Sequence, residues 1–157
     1  LQADGIVLAA PAIAGGDQIG TAQRFGGWLV ASIAPDERFT GKGIVRIVPT
    51  DNEDAWRIVS LHPRHYGNPS GRELMGLIRV MDRAAASAPS VTLPTLTLMG
   101  ENDQILAPSA VARVHTRIPG QAGYILYPEG WHWLFRDVQA PRVWDDVARF
   151  ALTLPAP

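Results

Sequence analysis

Asp103 and His132 are the residues of this 157-residue chain whose types and spacing best suit chemistry. Each ends an exit from an apolar run. Leu96-Thr97-Leu98-Met99 leads through Gly100-Glu101-Asn102 to Asp103, and Tyr124-Ile125-Leu126-Tyr127 leads through Pro128-Glu129-Gly130-Trp131 to His132. A carboxylate that accepts the imidazole Nδ1–H fixes the ring's tautomer and stabilises the imidazolium formed when the base removes a proton from a nucleophile. The expected chemistry is therefore nucleophilic catalysis with His132 as base and Asp103 as the group that orients it. The nucleophile itself is missing: none of Ser32, Ser60, Ser70, Ser87, Ser90 or Ser109 lies in a G-x-S-x-G turn, the sharp bend that exposes such a serine. Taken singly, Asp103 also suits a loop or N-cap aspartate ahead of a helix near Ser109. His132, between Trp131 and Trp133, also suits a packed histidine satisfied by a backbone carbonyl. The pair in this order, at two successive strand exits, favours the catalytic reading.

The elements that must position the pair follow from periodicity and breakers. Ile6 to Ala10 is a continuous apolar run stopped by Pro11, as expected of a strand buried on both faces of a parallel sheet. Ala22, Phe25, Leu29 and Ile33 step at helical spacing, though Gly26 and Gly27 weaken that helix. Between Ala14 and Ser90 the one further strand candidate is Gly43 to Val48. Thr50-x-x-Glu53 and Ser70-x-x-Glu73 both fit a capping box and predict helix starts. After Ser70, the residues Leu74, Leu77, Ile78, Met81 and Ala85 keep the helical period until Pro89 forbids continuation. The last third alternates: a strand over Thr95–Met99, a helix over about Ser109–Arg117, a strand over Tyr124–Tyr127 and a helix over about Pro141–Leu152, with Val143, Val147, Phe150 and Leu154 on one side. Such alternation predicts an α/β fold, a parallel sheet flanked by helices. Catalytic groups of such sheets lie beyond the carboxyl ends of the strands, where Asp103 and His132 both fall. Three strands leave an edge of the sheet uncovered, so further strands are expected from elsewhere.

Composition narrows the classes of function. Apolar residues make up 46% of the chain, near the norm of roughly 45–50% for folded domains, and the charged fraction of 18% lies below the usual ~25%. The formal net charge of −1 offers no basic stripe for phosphates, so no nucleic-acid partner is expected. There is no Cys, which removes disulfides, Cys-ligated zinc and thiol catalysis but fits either redox compartment. No apolar run approaches the ~18 residues of a membrane span, and no secretory leader is recognisable; the compartment stays open, with the cytoplasm slightly favoured. His62-Pro63-Arg64-His65 has a His-x-x-His spacing but no third ligand, and is expected to be a solvated loop rather than a metal site. Asp51, Glu53 and Asp54 are explained by a helix first turn, and Gly15-Gly16 and Gly41-x-Gly43 are turns that lack a dinucleotide-binding context. No cofactor is expected.

The residues Ala3-Asp4-Gly5-Ile6-Val7-Leu8-Ala9-Ala10-Pro11-Ala12, the Gly100-x-x-Asp103 turn and the segment Glu129-Gly130-Trp131-His132-Trp133-Leu134-Phe135-Arg136-Asp137 carry a resemblance over nearly the whole chain. It resembles the C-terminal part of an α/β-hydrolase, closest to the monoacylglycerol lipase and lysophospholipase branch of serine hydrolases. The resemblance implies three parts: a core strand in residues 1–13 that follows the nucleophile helix, a mainly helical cap inserted over 14–90, and a C-terminal core segment over 91–157 that carries the acid and the histidine. It also implies that the oxyanion hole, the nucleophile elbow and the central strands precede Leu1, either in the same protein or in a second chain that partners this one. Phe25, Trp28, Leu29, Ile33 and Trp56 are candidates to line an acyl-chain entrance in the cap, where contact with a membrane is also conceivable; ordinary packing of cap on core serves the same residues. The substrate implied is a small carboxylic ester such as a monoacylglycerol or lysophospholipid, and the chain alone is expected to be inert. The alternatives are another α/β-hydrolase chemistry with an Asp nucleophile, as in epoxide hydrolases and dehalogenases, or a non-catalytic binding or assembly module from a split or degenerate hydrolase.

Overall fold

The computed structural model describes residues 3–13, 32–33, 35–38, 47–62 and 68–155. Three parallel strands form the sheet, β1 (Ile6–Ala9), β2 (Thr95–Gly100) and β3 (Gln121–Tyr127), in the order β1-β2-β3. Four helices accompany them among the described residues: α1 (Glu53–Ser60), α2 (Gly71–Ser87), α3 (Pro108–His115) and α4 (Ala140–Thr153), with a short 3-10 turn over Ala88–Ser90. The crossovers β2-α3-β3 and β3-α4 reproduce the alternation read from the last third of the sequence. The helical face at Ala22, Phe25 and Leu29 and most of the Gly43 to Val48 strand candidate lie outside the described residues.

β2 is the centre of the fold, and all six of its residues are buried. Leu98 and Met99 are completely buried and join Leu96, Leu106, Val111, Tyr127, Leu134 and Val143 in the principal core. Full burial of one such aliphatic side chain stabilises the fold by roughly 1.5–3 kcal/mol relative to exposure. α4 lays Val143, Val147 and Phe150 on this core, while Leu154 and Phe150 close on the bare backbone of Gly5. Tyr127 is fully buried yet satisfied, its hydroxyl donating to Asp146 Oδ2 of α4 at 2.8 Å; burial pushes its phenol far above the ordinary tyrosine pKa.

Three elements differ from their sequence reading. β1 is half-buried along its length rather than buried on both faces, because it pairs with β2 on one side and with no strand on the other among the described residues. β3 starts at Gln121, three residues before its apolar part, since a register shift at Thr95/Leu96 lets Gln121 pair with Thr95 and Gly123 with Leu96. α1 is not capped by Thr50. Asn52 is the N-cap, its side chain accepting the Ala55 N–H at 3.0 Å, while the Thr50 hydroxyl accepts the Asn52 N–H at 3.2 Å and donates to Asp137 Oδ1 at 2.6 Å. At α2 the Ser70–Glu73 capping box forms in full, with Ser70 Oγ accepting the Glu73 N–H and the Glu73 carboxylate accepting the Ser70 N–H. On that helix Met81 and Ala85 reach the core, whereas Leu77 is exposed. No helix among the described residues is long and apolar enough to cross a membrane.

β2 also carries a buried polar contact. Thr97 Oγ1 and His115 Nδ1, at the end of α3, are hydrogen-bonded at 2.9 Å, and the His115 ring leans on Tyr124 with centroids 5.4 Å apart. Burial lowers the pKa of His115, since desolvation disfavours the imidazolium. The unfolded chain, with an ordinary histidine pKa of about 6.5, therefore takes up the proton more readily than the folded one. The contribution of His115 to stability is present above the unfolded pKa and lost as pH falls through the lower folded pKa. Thermal melts run from about pH 7.5 down to about pH 5 are expected to show a falling midpoint, and His115→Gln should flatten that slope; an unchanged slope would remove His115 as its source.

Candidate functional site

The acid turn begins where β2 ends. Asp103 lies three residues beyond Gly100, and its side chain is completely shielded from solvent. One oxygen, Oδ1, accepts the N–H groups of Ile105 and Leu106 at 2.8 and 2.9 Å, an Asx-type turn that fixes the carboxylate. The other, Oδ2, lies 2.9 Å from His132 Nδ1. An ionised carboxylate only accepts hydrogen bonds, so the Nδ1–H of His132 donates. One oxygen of Asp103 thus serves the loop and the other meets His132. Helix α3 is not capped by Asp103: its N-cap is Ala107, followed by Pro108 at the first helical position, where the missing N–H costs nothing.

His132 is held by a carboxylate and not by a backbone carbonyl. Its side chain keeps 23% of its surface and contributes to a cavity of about 380 Å³ lined also by Ala9, Val59, Trp133, Leu134, Phe135 and Arg136. Ala9 ends β1, so the cavity lies at the carboxyl edge of the sheet, beside the strand whose outer edge has no partner among the described residues. A buried acid and a partly exposed base, joined through Nδ1, form an arrangement suited to taking a proton at the opposite ring nitrogen.

The two turns are stitched to each other. The N–H groups of Glu101 and Asn102 donate to the carbonyls of Tyr127 and Gly130 at 2.9 Å each, and Asn102 Nδ2 donates to the Pro128 carbonyl at 3.1 Å. This demands close backbone approach at Gly100 and Gly130. A methyl on Gly100 would overlap the Gly130 carbonyl, and one on Gly130 would meet Gly100 Cα and Leu134 Cδ2, both at 2.9 Å. The sequence signal was present, a glycine shortly ahead of Asp103 and another ahead of His132, but only the fold reveals that the two glycines face each other.

The candidate lining residues are placed unevenly. Phe25, Trp28 and Leu29 fall outside the described residues. Ile33 is 75% exposed and Trp56 is 40% exposed, and neither lines the cavity at His132. Trp56 instead packs against Trp133, with ring centroids 5.7 Å apart. Of the His-x-x-His sequence only His62 is described, and no group of three or more His, Asp or Glu among the described residues could hold a metal ion. Asp137, Thr50 and Pro49, to which sequence reasoning gave no part in the site, bond to the histidine loop.

A parallel sheet whose consecutive strands release an acid and then a histidine at the carboxyl edge is the architecture of an α/β-hydrolase. Residues 1–139 match the family model described as serine aminopeptidase, S33, and the chain belongs to that α/β-hydrolase family. Among solved structures it is similar to the monoacylglycerol lipase of Paleococcus ferrophilus, at 21% identity and a TM-score of 0.75, covering 96% of this chain and 59% of that one. A soluble variant of monoglyceride lipase from Saccharomyces cerevisiae, bound to a substrate analogue, aligns at 15% identity and a TM-score of 0.69, over 94% of this chain and 55% of that one. A structure from a study of the metagenome-derived lipolytic enzymes LipS and LipT aligns at 15% identity and a TM-score of 0.65, over 96% and 55%. These likenesses are of fold, and the chain spans between 55% and 59% of the three structures' lengths. No curated protein matches.

Because the Gly100–Gly130 contact is backbone on backbone, Gly100→Ala must push the two turns apart. It is expected to cost roughly 1–3 kcal/mol, the usual penalty of overpacking, measured by urea denaturation. Ala substitution at Gly76, where nothing lies within 4 Å of the added methyl, should instead be neutral or stabilising; equal losses at both positions would contradict the steric account.

Proposed function

We propose that this chain is the C-terminal part of a serine carboxylic-ester hydrolase and supplies the acid and base of its Ser-His-Asp triad. The observation that carries the reading is the 2.9 Å contact between His132 Nδ1 and a fully shielded, doubly anchored Asp103. Membership of the S33 family supports hydrolysis through a serine, and the lipase folds it resembles favour an ester such as a monoacylglycerol or a lysophospholipid. The nucleophile and oxyanion hole come from a segment outside this chain, paired in parallel with the open edge of β1. The sheet order supports this location, since the cavity at His132 reaches Ala9 at the end of β1. Residues 14–90 form the cap, and Phe25, Trp28, Leu29, Ile33 and Trp56 border the acyl entrance once the two parts are assembled.

In the assembled site, His132 removes the serine proton through Nε2 as the hydroxyl oxygen attacks the ester carbonyl, and Asp103 stabilises the imidazolium that results. The tetrahedral intermediate collapses by breaking the bond to the alcohol, whose oxygen takes the proton from His132. Water then repeats the sequence on the acyl-enzyme, with His132 again as base, and the carboxylic acid departs.

Three outcomes are expected. The 157-residue chain should show no turnover of short nitrophenyl esters. The protein completed by its preceding segment should be labelled by a fluorophosphonate probe, and His132→Ala should abolish the labelling. Asp103→Asn in the completed protein should lower kcat by roughly 10⁴-fold, the scale found when a triad acid is neutralised, as read by steady-state kinetics. Robust turnover by the isolated chain, or a preceding segment with no nucleophile, would sink the proposal.

A further inference from the structure

His132 sits between two peptide groups that are both tied down. On one side the Trp131 N–H donates to Asp137 Oδ2 at 2.7 Å. On the other the Trp133 N–H donates to the Pro49 carbonyl at 2.9 Å. Asp137 is 2% exposed and its second oxygen accepts the hydroxyl of Thr50, itself 4% exposed, at 2.6 Å. The Asp137 carboxylate therefore closes the loop that begins at Trp131, and the residue that steadies it is adjacent in sequence to the one that holds Trp133.

The same short segment reaches further. The Val48 N–H donates to Gln104 Oε1 at 2.9 Å, one residue beyond Asp103. Asn52 Nδ2 donates to the Arg136 carbonyl at 2.8 Å, and Asp51 Oδ1 accepts the Val138 N–H at 2.9 Å. Residues 48–52 thus bond to the acid turn at one end and to the histidine loop along the rest. Burial, with the negative charges of Asp51 and Asp103 nearby, raises the pKa of Asp137, and the bonds from Thr50 and Trp131 oppose that rise. Both oxygens of this buried acid are engaged, one by a side-chain hydroxyl and one by a backbone N–H.

We propose that Asp137, braced by Thr50, is a positioning residue for His132: it fixes the Gly130–Trp131 peptide, one residue ahead of the histidine, so that Nδ1–H meets Asp103, and residues 48–52 act as the brace between the acid and base turns. Asp137 touches neither the imidazole nor a reacting atom, and acts through the Trp131 peptide. The catalytic consequence rests on the hydrolase reading; the geometric claim can be tested without it.

The test is the tautomer of His132 in the 157-residue chain, read from long-range proton–nitrogen spectra of protein labelled with ¹⁵N-histidine, at an alkaline pH where the ring is neutral. His132→Ala assigns the signal. In the wild type the Nδ1–H form should dominate. Asp137→Ala and Thr50→Val should each shift the ring toward the Nε2–H form preferred by a free imidazole. The tautomer ratio should fall roughly tenfold or more, the equivalent of one hydrogen bond to a charged group. Thr50→Ser, which keeps the hydroxyl, should retain the wild-type ratio. Thr50→Val leaves the carboxylate and its Trp131 bond in place, so it decides the matter if Asp137→Ala fails to fold. The proposal is overturned if a folded Asp137→Ala or Thr50→Val chain keeps the wild-type ratio, if Thr50→Ser is as impaired as Thr50→Val, or if wild-type His132 is not in the Nδ1–H form. Failure of the hydrolase reading looks different: the completed protein would resist the fluorophosphonate probe while the tautomer results stood.

Discussion

Two adjacent parallel strands that stay in register to their last residue must release their chains side by side. β2 and β3 do so, pairing Gly100 with Tyr127, and the site depends on the consequence. The acid turn and the base turn leave together, touch at Gly100 and Gly130 and share backbone hydrogen bonds. Asp103 and His132, 29 residues apart in sequence, meet because neither turn has room to wander. Holding a carboxylate and an imidazole in register is worth most when it is done before the substrate arrives, since little reorganisation then remains for the reaction step. The glycines supply the proximity, and the carboxylate of Asp103, anchored by two N–H groups, supplies the direction.

Much of this was legible in the sequence. The α/β alternation of the last third needed only period and breakers, and Asp103 and His132 could be singled out because strand exits are where open sheets carry their chemistry. The Ser70 capping box was readable because both partners lie within one helical turn. Thr50-x-x-Glu53 has the same local pattern and failed: the helix starts at Glu53 with Asn52 as its cap, and the Thr50 hydroxyl, held by Asp137 87 residues away, accepts the Asn52 N–H instead. No local rule sees an anchor at that separation. The early part of β3 escaped notice for a related reason: Gln121, Ala122 and Gly123 form ladder through their backbone, with exposed or half-exposed side chains that leave no apolar signature. Asp137 likewise stood in plain sight, five residues after His132, but its value comes from a buried position that only the tertiary fold defines.

β1 shows what the described part of the molecule leaves open. A strand of a parallel sheet ordinarily has both faces covered, yet here each residue is half-buried and one edge has no partner among the described residues. The cavity at His132 opens toward this strand. The contact between Asp103 and His132 is thus complete on the side of β2 and β3, and the edge of β1 is open among the described residues. This asymmetry is the physical content of the proposal that the catalytic serine arrives on a neighbouring strand.

The most direct test is a crystal structure of the completed protein, containing the preceding segment, after reaction with a phosphonate ester. The account predicts phosphorus bonded to a serine at the end of a strand paired with β1, with the serine oxygen within about 2.6–3.2 Å of His132 Nε2 and the Asp103 contact to Nδ1 intact. Modification of a residue elsewhere, or a serine beyond the reach of His132, would contradict it.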